Sequence, residues 1–341
     1  MAGRSREKIW VVRQGDGRTA ADIVGRAGEP ASAIAEGRVF VGAKRVTRAD
    51  HPVRTGDTVR IGAGRRADAR ETDPEVEILF DEDGLVACVK PAGLPTVPDR
   101  AGGAHALVSI VAKAVGASPP NDLRVTSRLD RDVSGVVVFA RGAAAESRLR
   151  AARAEGRYQR RYVALAMAAP ALADEGIWDA AIGRAPSPYL RAARGLDAKE
   201  AATRWTKVAT AHASGSVAPS SGAAGHARIG VTGALDVALL GIDPVTGRTH
   251  QIRVHASDAG APLLGDRDYG GPTRMVLANG SVLAIARVAL HAARVVVPGS
   301  RGPVEARAPV PAELTRLWAA LGGAPDAWDR ALACATPGAP R

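Results

Sequence analysis

Five consecutive apolar residues, Val136-Val137-Val138-Phe139-Ala140, constrain this chain more than any other stretch. A run this short, rich in β-branched residues and without alternation, is most simply a buried strand. It follows directly on a polar turn, Ser127-Arg128-Leu129-Asp130-Arg131-Asp132-Val133-Ser134-Gly135. Val76 to Phe80 and Leu85 to Val89 read as a β-hairpin around Asp81-Glu82-Asp83-Gly84. Arg161 to Ala166 and Gly247 to His255 read as further strands. Ala104 to Val115 reads as a helix, and Ala143 to Glu155 as a basic amphipathic one. Strands and helices mix without a clean βαβ repeat, which predicts an α+β fold. The expected architecture is a mixed, largely antiparallel central β-sheet flanked by helices and loops.

The first residues form a separate unit. Thr19 to Ala35 has helical character interrupted by Gly25, Gly28 and Pro30, and three short strands follow, ending at Ile61. Residues 63–75 are polar and read as a linker. The expected division is a small basic α/β domain over 1–62, a main domain over 76–320 and a C-terminal tail over 321–341. Within the main domain, 211–233 is rich in Ser, Gly and Ala and reads as an inserted flexible loop.

Charge is concentrated at the start. Of 46 basic and 35 acidic residues, 15 and 8 fall in residues 1–70, a net of +7 out of +11. Such a balance favours a polyanionic partner, with nucleic acid ahead of a membrane surface. Cys88 and Cys334 fit no zinc or redox pattern. No uncharged run approaches the ~20 apolar residues of a membrane helix, and no leader pattern precedes residue 13. A cytoplasmic protein without a membrane role is the expectation.

Common catalytic motifs are missing: no phosphate-cradling Gly-Lys-Ser/Thr loop, no His-Glu-x-x-His, no Gly-x-Ser-x-Gly elbow. His250 and His255 are five apart with no carboxylate or Cys at ligand spacing, so no metal is expected. Two constellations remain. Asp130 stands between Arg128 and Arg131, beside Asp132. On propensity it is first a turn former; the flanking arginines would hold such a carboxylate ionised, as a nucleophile needs. Read as a strand, Gly247-Arg248-Thr249-His250-Gln251-Ile252-Arg253-Val254-His255 carries polar side chains on both faces. One face must meet a core, so its polar members need partners.

These residues resemble a known family. Arg128-Leu129-Asp130 with Ser134-Gly135 and a following apolar strand is similar to the catalytic motif of RluA-type RNA pseudouridine synthases. Arg161-Tyr162-Val163-Ala164-Leu165 resembles that family's tyrosine motif. Gly247 to His255, with Gly265-Asp266 and Tyr269-Gly270, resembles its third motif. Lys90-Pro91-Ala92-Gly93-Leu94 and Leu290-His291-Ala292 resemble flanking signatures. The likeness spans roughly residues 76–310, and residues 19–61 resemble the small alpha-L RNA-binding domain many members carry. Ser127 stands where the family usually has His, and Val133 where it has Thr.

The resemblance implies conversion of uridine in RNA, ribosomal or transfer, to pseudouridine in a central cleft, without metal or cofactor. It implies Asp130 as the catalytic carboxylate, Tyr162 against the uracil face and Arg253 paired with Asp130. Arg128 would fill the space left by the flipped base, and Leu290 would pack under it. Arg248 and His250 would shape the site or hold the RNA backbone, while Lys90, Lys44 and Arg45 would contact phosphates. A monomer is expected. Two rivals stand beside this reading. One is a catalytically weak RNA-binding or ribosome-assembly factor on the same scaffold. The other is a carbohydrate hydrolase using Asp130 and Asp132, whose two-residue separation places them poorly to flank a bond.

Overall fold

In a computed structural model the described residues are 8–29, 31–35, 39–42, 44–46, 48–62, 74–98, 106–117, 122–168, 172–187, 189–218 and 230–333. Most of the expected linker, residues 219–229 of the expected insertion and residues 334–341 lie outside them. The chain divides into two compact units at Pro74.

In the first unit α1 (Ala20–Arg26) starts at a capping box. Thr19 Oγ1 accepts from the N–H of Asp22, and the Asp22 carboxylate accepts from the N–H of Thr19. Gly28, at φ 68°, ends the helical stretch. A second short helix, α2 (Ser32–Ala35), follows, so the segment read as one interrupted helix is two. Strands β1 (Lys8–Val11), β2 (Val39–Val41), β3 (Lys44–Val46) and β4 (Thr58–Ile61) form an antiparallel sheet in the order β1-β4-β2-β3. Ile23, Val24, Ile34, Val39, Val59 and Ile61 make its core. The backbone of Lys44 and Arg45 lies on β3; their side chains are outside the described set.

The second unit opens with the hairpin β5 (Ile78–Glu82) and β6 (Leu85–Lys90), then α3 (Leu107–Ala114) and β7 (Leu123–Val125). The apolar run lies in β8 (Ser134–Arg141), seven of whose eight residues are buried. Val136, Val138 and Ala140 pack on Ala145, Leu149 and Ala152 of α4 (Gly142–Ala154). Val137 and Phe139 pack on Leu107, Ile110 and Val111 of α3. Helices therefore cover both faces of β8, which explains its lack of alternation. Each fully buried Val, Leu or Phe contributes roughly 1.5–3 kcal/mol.

The chain continues through β9 (Gln159–Met167), β10 (Glu175–Trp178), β11 (Ile182–Arg184), β12 (Arg191–Ala193) and β13 (Leu196–Lys199). It then runs through β14 (Thr203–Val217), β15 (Val231–Pro244), α5 (Gln251–Asp258), β16 (Arg274–Leu277), β17 (Val282–Ala284), β18 (Leu290–Gly299) and β19 (Gly302–Arg307). Helices α6 (Ala312–Ala320) and α7 (Ala327–Ala333) close it. Twelve of these strands form one sheet, ordered β17-β16-β14-β15-β9-β18-β8-β6-β5 with β10, β19 and β7 at its margins; β12-β11-β13 form a smaller one. The large sheet is mixed, since β18 and β8 run parallel while its other pairs are antiparallel.

Three expectations need correction. Gly247 to His255 is not a strand: Gln251–Asp258 is helix α5, and Gln251 through Ala256 are all buried. A helix surrounded by protein needs no amphipathic period, so alternation was the wrong test for it. Residues 211–233 are not wholly a loop, because 211–217 and 231–233 extend β14 and β15 in continuous register from Ala211↔Val237 to Val217↔Val231. Residues 321–333 are not a tail. α7 packs on β9, β14 and β15, and Trp328 meets Trp318 edge-on at 6.3 Å within a shared core.

The parallel junction of β8 and β18 positions the polar turn. His291 pairs with Ser134 and Ala292 with Gly135. Gly135 has φ 121°, and a Cβ there would lie 2.2 Å from Ala292 O, so only glycine permits this approach.

Candidate active site

A cavity of about 480 Å³ opens in the second unit, bounded by Thr126 to Arg131, Val133, Tyr162, Pro244, Thr246 to Arg253 and Leu290, with the end of α4 and Pro95 to Val97. The polar turn before β8, the middle of β9, the start of α5 and the first residue of β18 thus converge. Asp130, Tyr162 and Arg253 all line it, as do Arg128, Arg248, His250 and Leu290.

Asp130 is partly exposed to the cavity. Arg253 Nη1 donates to its Oδ2 at 3.2 Å, and His250 Nε2 lies 3.9 Å from its Oδ1. The flanking arginines do not hold it: Arg131 Nε donates to Gly93 O instead, and Arg128 is exposed on the cavity wall. The cation beside Asp130 arrives from 123 residues away, on α5. Asp266, fully buried, accepts from Arg253 Nε at 2.8 Å and Nη2 at 2.7 Å, and Asp268 accepts from Nη2 at 2.7 Å. Burial opposes the charge on Arg253, but the hydrogen bonds and charge of Asp266, with Asp130 and Asp268, more than offset it and raise its pKa. The guanidinium carbon sits 4.8 Å over the Tyr269 ring.

The other polar residues of α5 are satisfied within the protein. Gln251 Nε2 donates to Ala202 O and Thr203 Oγ1, while its Oε1 accepts from Thr246 Oγ1 and the N–H of Arg248. His255 bonds Thr203 and Ala180 O. Gln251 thereby ties the 246–248 loop to the helix start. Arg248 is exposed on the wall, with Nε donating to Glu200 O.

Tyr162 is 8% exposed, on β9 between Ile242 and Ala292, and burial raises its pKa so that the phenol stays protonated. Leu290 is buried on the same wall. Ser127 Oγ lies 3.1 Å from Tyr158 Oη, and Val133 is buried against Tyr162, Leu290 and Ile252 in one core cluster.

Lys90 is a correction: it is fully buried and cannot reach a phosphate. Its ammonium donates to Pro91 O, Leu94 O and Arg131 O at 2.7–2.9 Å, tying the 91–94 loop to the residue after Asp130. Burial pulls its pKa down to about 7. Thr96 adds a second tie, donating to Leu129 O and accepting from the N–H of Leu129.

Sequence reasoning missed Arg287. Its guanidinium donates to Leu290 O, Ser134 Oγ and Glu313, and reaches Asp132 O at 3.4 Å, joining the Asp130 turn to β18 and α6. A lone arginine inside the apolar stretch Val282 to Ala293 was the available signal. Asp266 carried no signal of its own beyond its place after Gly265. Groups of three or more His, Cys, Asp or Glu side chains able to hold a metal are absent among the described residues, and no described helix is long and apolar enough to cross a membrane.

A carboxylate beside an immobilised arginine, facing a tyrosine across a cavity large enough for a nucleoside, sits on a mixed α+β scaffold. The family model described as RNA pseudouridylate synthase matches residues 84–258, just over half the chain. This chain belongs to that family and is an isomerase acting on RNA. It is 32% identical over 288 residues to the ribosomal large subunit pseudouridine synthase D of Xylella fastidiosa, covering 81% of this chain and 79% of that one. It is 30% identical over 279 residues to the protein of the same name from Xanthomonas campestris, covering 79% and 77%. Among solved structures, human RNA Pseudouridylate Synthase Domain Containing 4 shares the fold with a TM-score of 0.50 at 21% identity, over 72% of this chain and 93% of that one.

Proposed function

We propose that the protein isomerises specific uridines of ribosomal RNA to pseudouridine, with Asp130 as the catalytic carboxylate and transfer RNA as the second choice of substrate. The observation that carries this reading is the convergence of Asp130, Tyr162 and Arg253, from three distant stretches, on one cavity. The names of the relatives favour large-subunit ribosomal RNA. The same reading has the protein act as a cytoplasmic monomer, with residues 1–62 as an accessory RNA-binding domain.

In this scheme the target nucleotide flips out of its helix at a cost of a few kcal/mol, and Arg128 fills the space it leaves. Its base lies against Tyr162 with Leu290 beneath. The C1′–N1 bond breaks, with Asp130 attacking C1′ or taking the C2′ proton. The uracil turns, and C5 bonds to C1′ as the bond from Asp130 to C1′ breaks or as Asp130 returns the proton to C2′. The C5 proton leaves through the Tyr162 hydroxyl, which releases its own proton to water as it accepts, and N1 takes up a proton from water. Arg253 keeps Asp130 aimed throughout.

Mapping pseudouridines in total RNA with and without the gene identifies the target. The purified Asp130→Asn variant is expected to bind that RNA and form no pseudouridine. Isomerisation at the normal rate would sink the assignment. Deleting residues 1–62 is expected to weaken RNA binding and flatten its salt dependence, and an unchanged slope counts against that domain's role.

A further inference from the structure

The hydrogen bonds around His250 fix which of its nitrogens carries the proton. The backbone N–H of Arg191 can only donate, and it donates to Tyr269 Oη at 3.0 Å. Tyr269 Oη lies 2.7 Å from His250 Nδ1. Burial raises the Tyr269 pKa to about 12 and lowers that of His250, so a protonated phenol meets a neutral imidazole. A phenol is the stronger acid and an imidazole nitrogen the stronger base, so the Tyr269 O–H donates and Nδ1 accepts. The ring proton is left on Nε2.

That N–H faces the cavity and Asp130. Its 3.9 Å separation from Oδ1 is too long for a hydrogen bond. It suits one oxygen lying about 2.8 Å from both atoms. Oδ1 is also the carboxylate oxygen that Arg253 leaves free, since Nη1 takes Oδ2. His250 itself sits in the left-handed region at φ 58°, at the N-cap of α5. A non-glycine residue holds that conformation at a cost of about 1–3 kcal/mol, and such strain gathers at functional sites.

We propose that His250 reads the 2′-hydroxyl of the target uridine: its Nε2–H donates to the 2′-oxygen while that hydroxyl donates to Asp130 Oδ1. This rests on Asp130 being the reacting carboxylate. Whether Asp130 approaches C1′ or the C2′ proton, the 2′-oxygen is at most two bonds from the carbon concerned. The pair therefore distinguishes a ribonucleotide from a deoxyribonucleotide at the reacting sugar.

The test uses the full-length enzyme and a short synthetic RNA spanning the mapped uridine, made with uridine or 2′-deoxyuridine at that position. Wild type is expected to favour uridine by roughly a hundredfold in kcat/KM, since the analogue leaves the Nε2–H donor and the Oδ1 acceptor without their shared partner. His250→Ala is expected to lose activity on uridine RNA and to shrink that preference to a few-fold. His250→Gln, whose amide N–H restores a donor, should recover part of both. A His250→Ala preference equal to the wild type's overturns the proposal. If that variant forms no product from either RNA, the ratio of the two Kd values decides, and a ratio equal to the wild type's overturns it equally. An active Asp130→Asn enzyme would defeat the catalytic assignment instead, whatever the preference of the His250 variants.

Discussion

Asp266 grips Arg253 through two nitrogens, at 2.8 and 2.7 Å, and so fixes the direction in which the remaining nitrogen meets Asp130. Asp268 binds the same Nη2 at the same 2.7 Å, but its side chain is 45% exposed while that of Asp266 is at 0%. Burial decides which contact matters. Asp266→Ala, which leaves a buried guanidinium short of a partner, is expected to cost about 3–5 kcal/mol of stability and most of the activity. Asp268→Ala should cost under about 1 kcal/mol. Urea unfolding of both variants measures the difference, and equal losses would contradict the account.

Lys90 holds the Asp130 turn from below. Lys90→Met keeps the volume and leaves the carbonyls of Pro91, Leu94 and Arg131 short of a donor. Each unsatisfied buried group costs about 1–3 kcal/mol, although Arg131 O keeps its bond from the N–H of Gly93. A fall of about 3 kcal/mol in unfolding free energy is expected, with kcat reduced and RNA affinity kept. A Lys90→Met protein with lowered RNA affinity and normal stability would restore the phosphate role.

Arg287 joins Ser134, Leu290 and Glu313, so it positions both the turn and the wall of the cavity. Arg287→Lys retains the charge but cannot span these partners at once. The expected result is kcat down by about tenfold, roughly 1.4 kcal/mol in the barrier, with KM within about twofold. Loss confined to KM would make Arg287 an RNA contact instead.

Acid should loosen the junction of β8 and β18. His291 is fully buried, with Ser134 Oγ 2.9 Å from Nδ1 and Ala308 O 3.3 Å from Nε2, and burial lowers its pKa to about 4. The unfolded chain, near the usual 6.5, binds this proton first. Stability is therefore full above about pH 6.5 and falls as pH drops toward 4, by on the order of 3 kcal/mol. Burial shifts His250 and His255 in the same direction. His291→Gln should flatten the slope between pH 6.5 and 4, as read from urea midpoints; an unchanged slope would assign it to other groups.

Much of the site was legible because its residues sit in motifs with a fixed order. Asp130, Tyr162 and Arg253 needed no knowledge of the sheet to be singled out. What failed was local geometry that depends on distant partners. Gln251 and His255 look misplaced in any regular element until Thr203, 48 and 52 residues earlier, supplies their hydrogen bonds. Lys90 ends an apolar strand and looks like a surface charge until three carbonyls close around it. The β14–β15 hairpin hid because Ala, Ser and Gly have low strand propensity, which the ladder between the two strands overrides. Trp328, Ala327 and Ala331 lie at the spacing of one helix face and are buried in α7, a signal hidden by the Pro- and Gly-containing end that follows.

Three carboxylates, Asp130, Asp266 and Asp268, share the single guanidinium of Arg253. The neighbouring imidazole is neutral. Negative charge therefore exceeds positive at the one place where chemistry is expected. Arg128, Arg153, Arg160 and Arg248 line the same cavity without pairing to Asp130. On the function proposed above, a strand of phosphodiesters is repelled by these carboxylates and drawn to these arginines. The uncharged end of a nucleotide, its sugar and base, must lead the way in. On that reading the charges set which way round the substrate enters before any single contact forms.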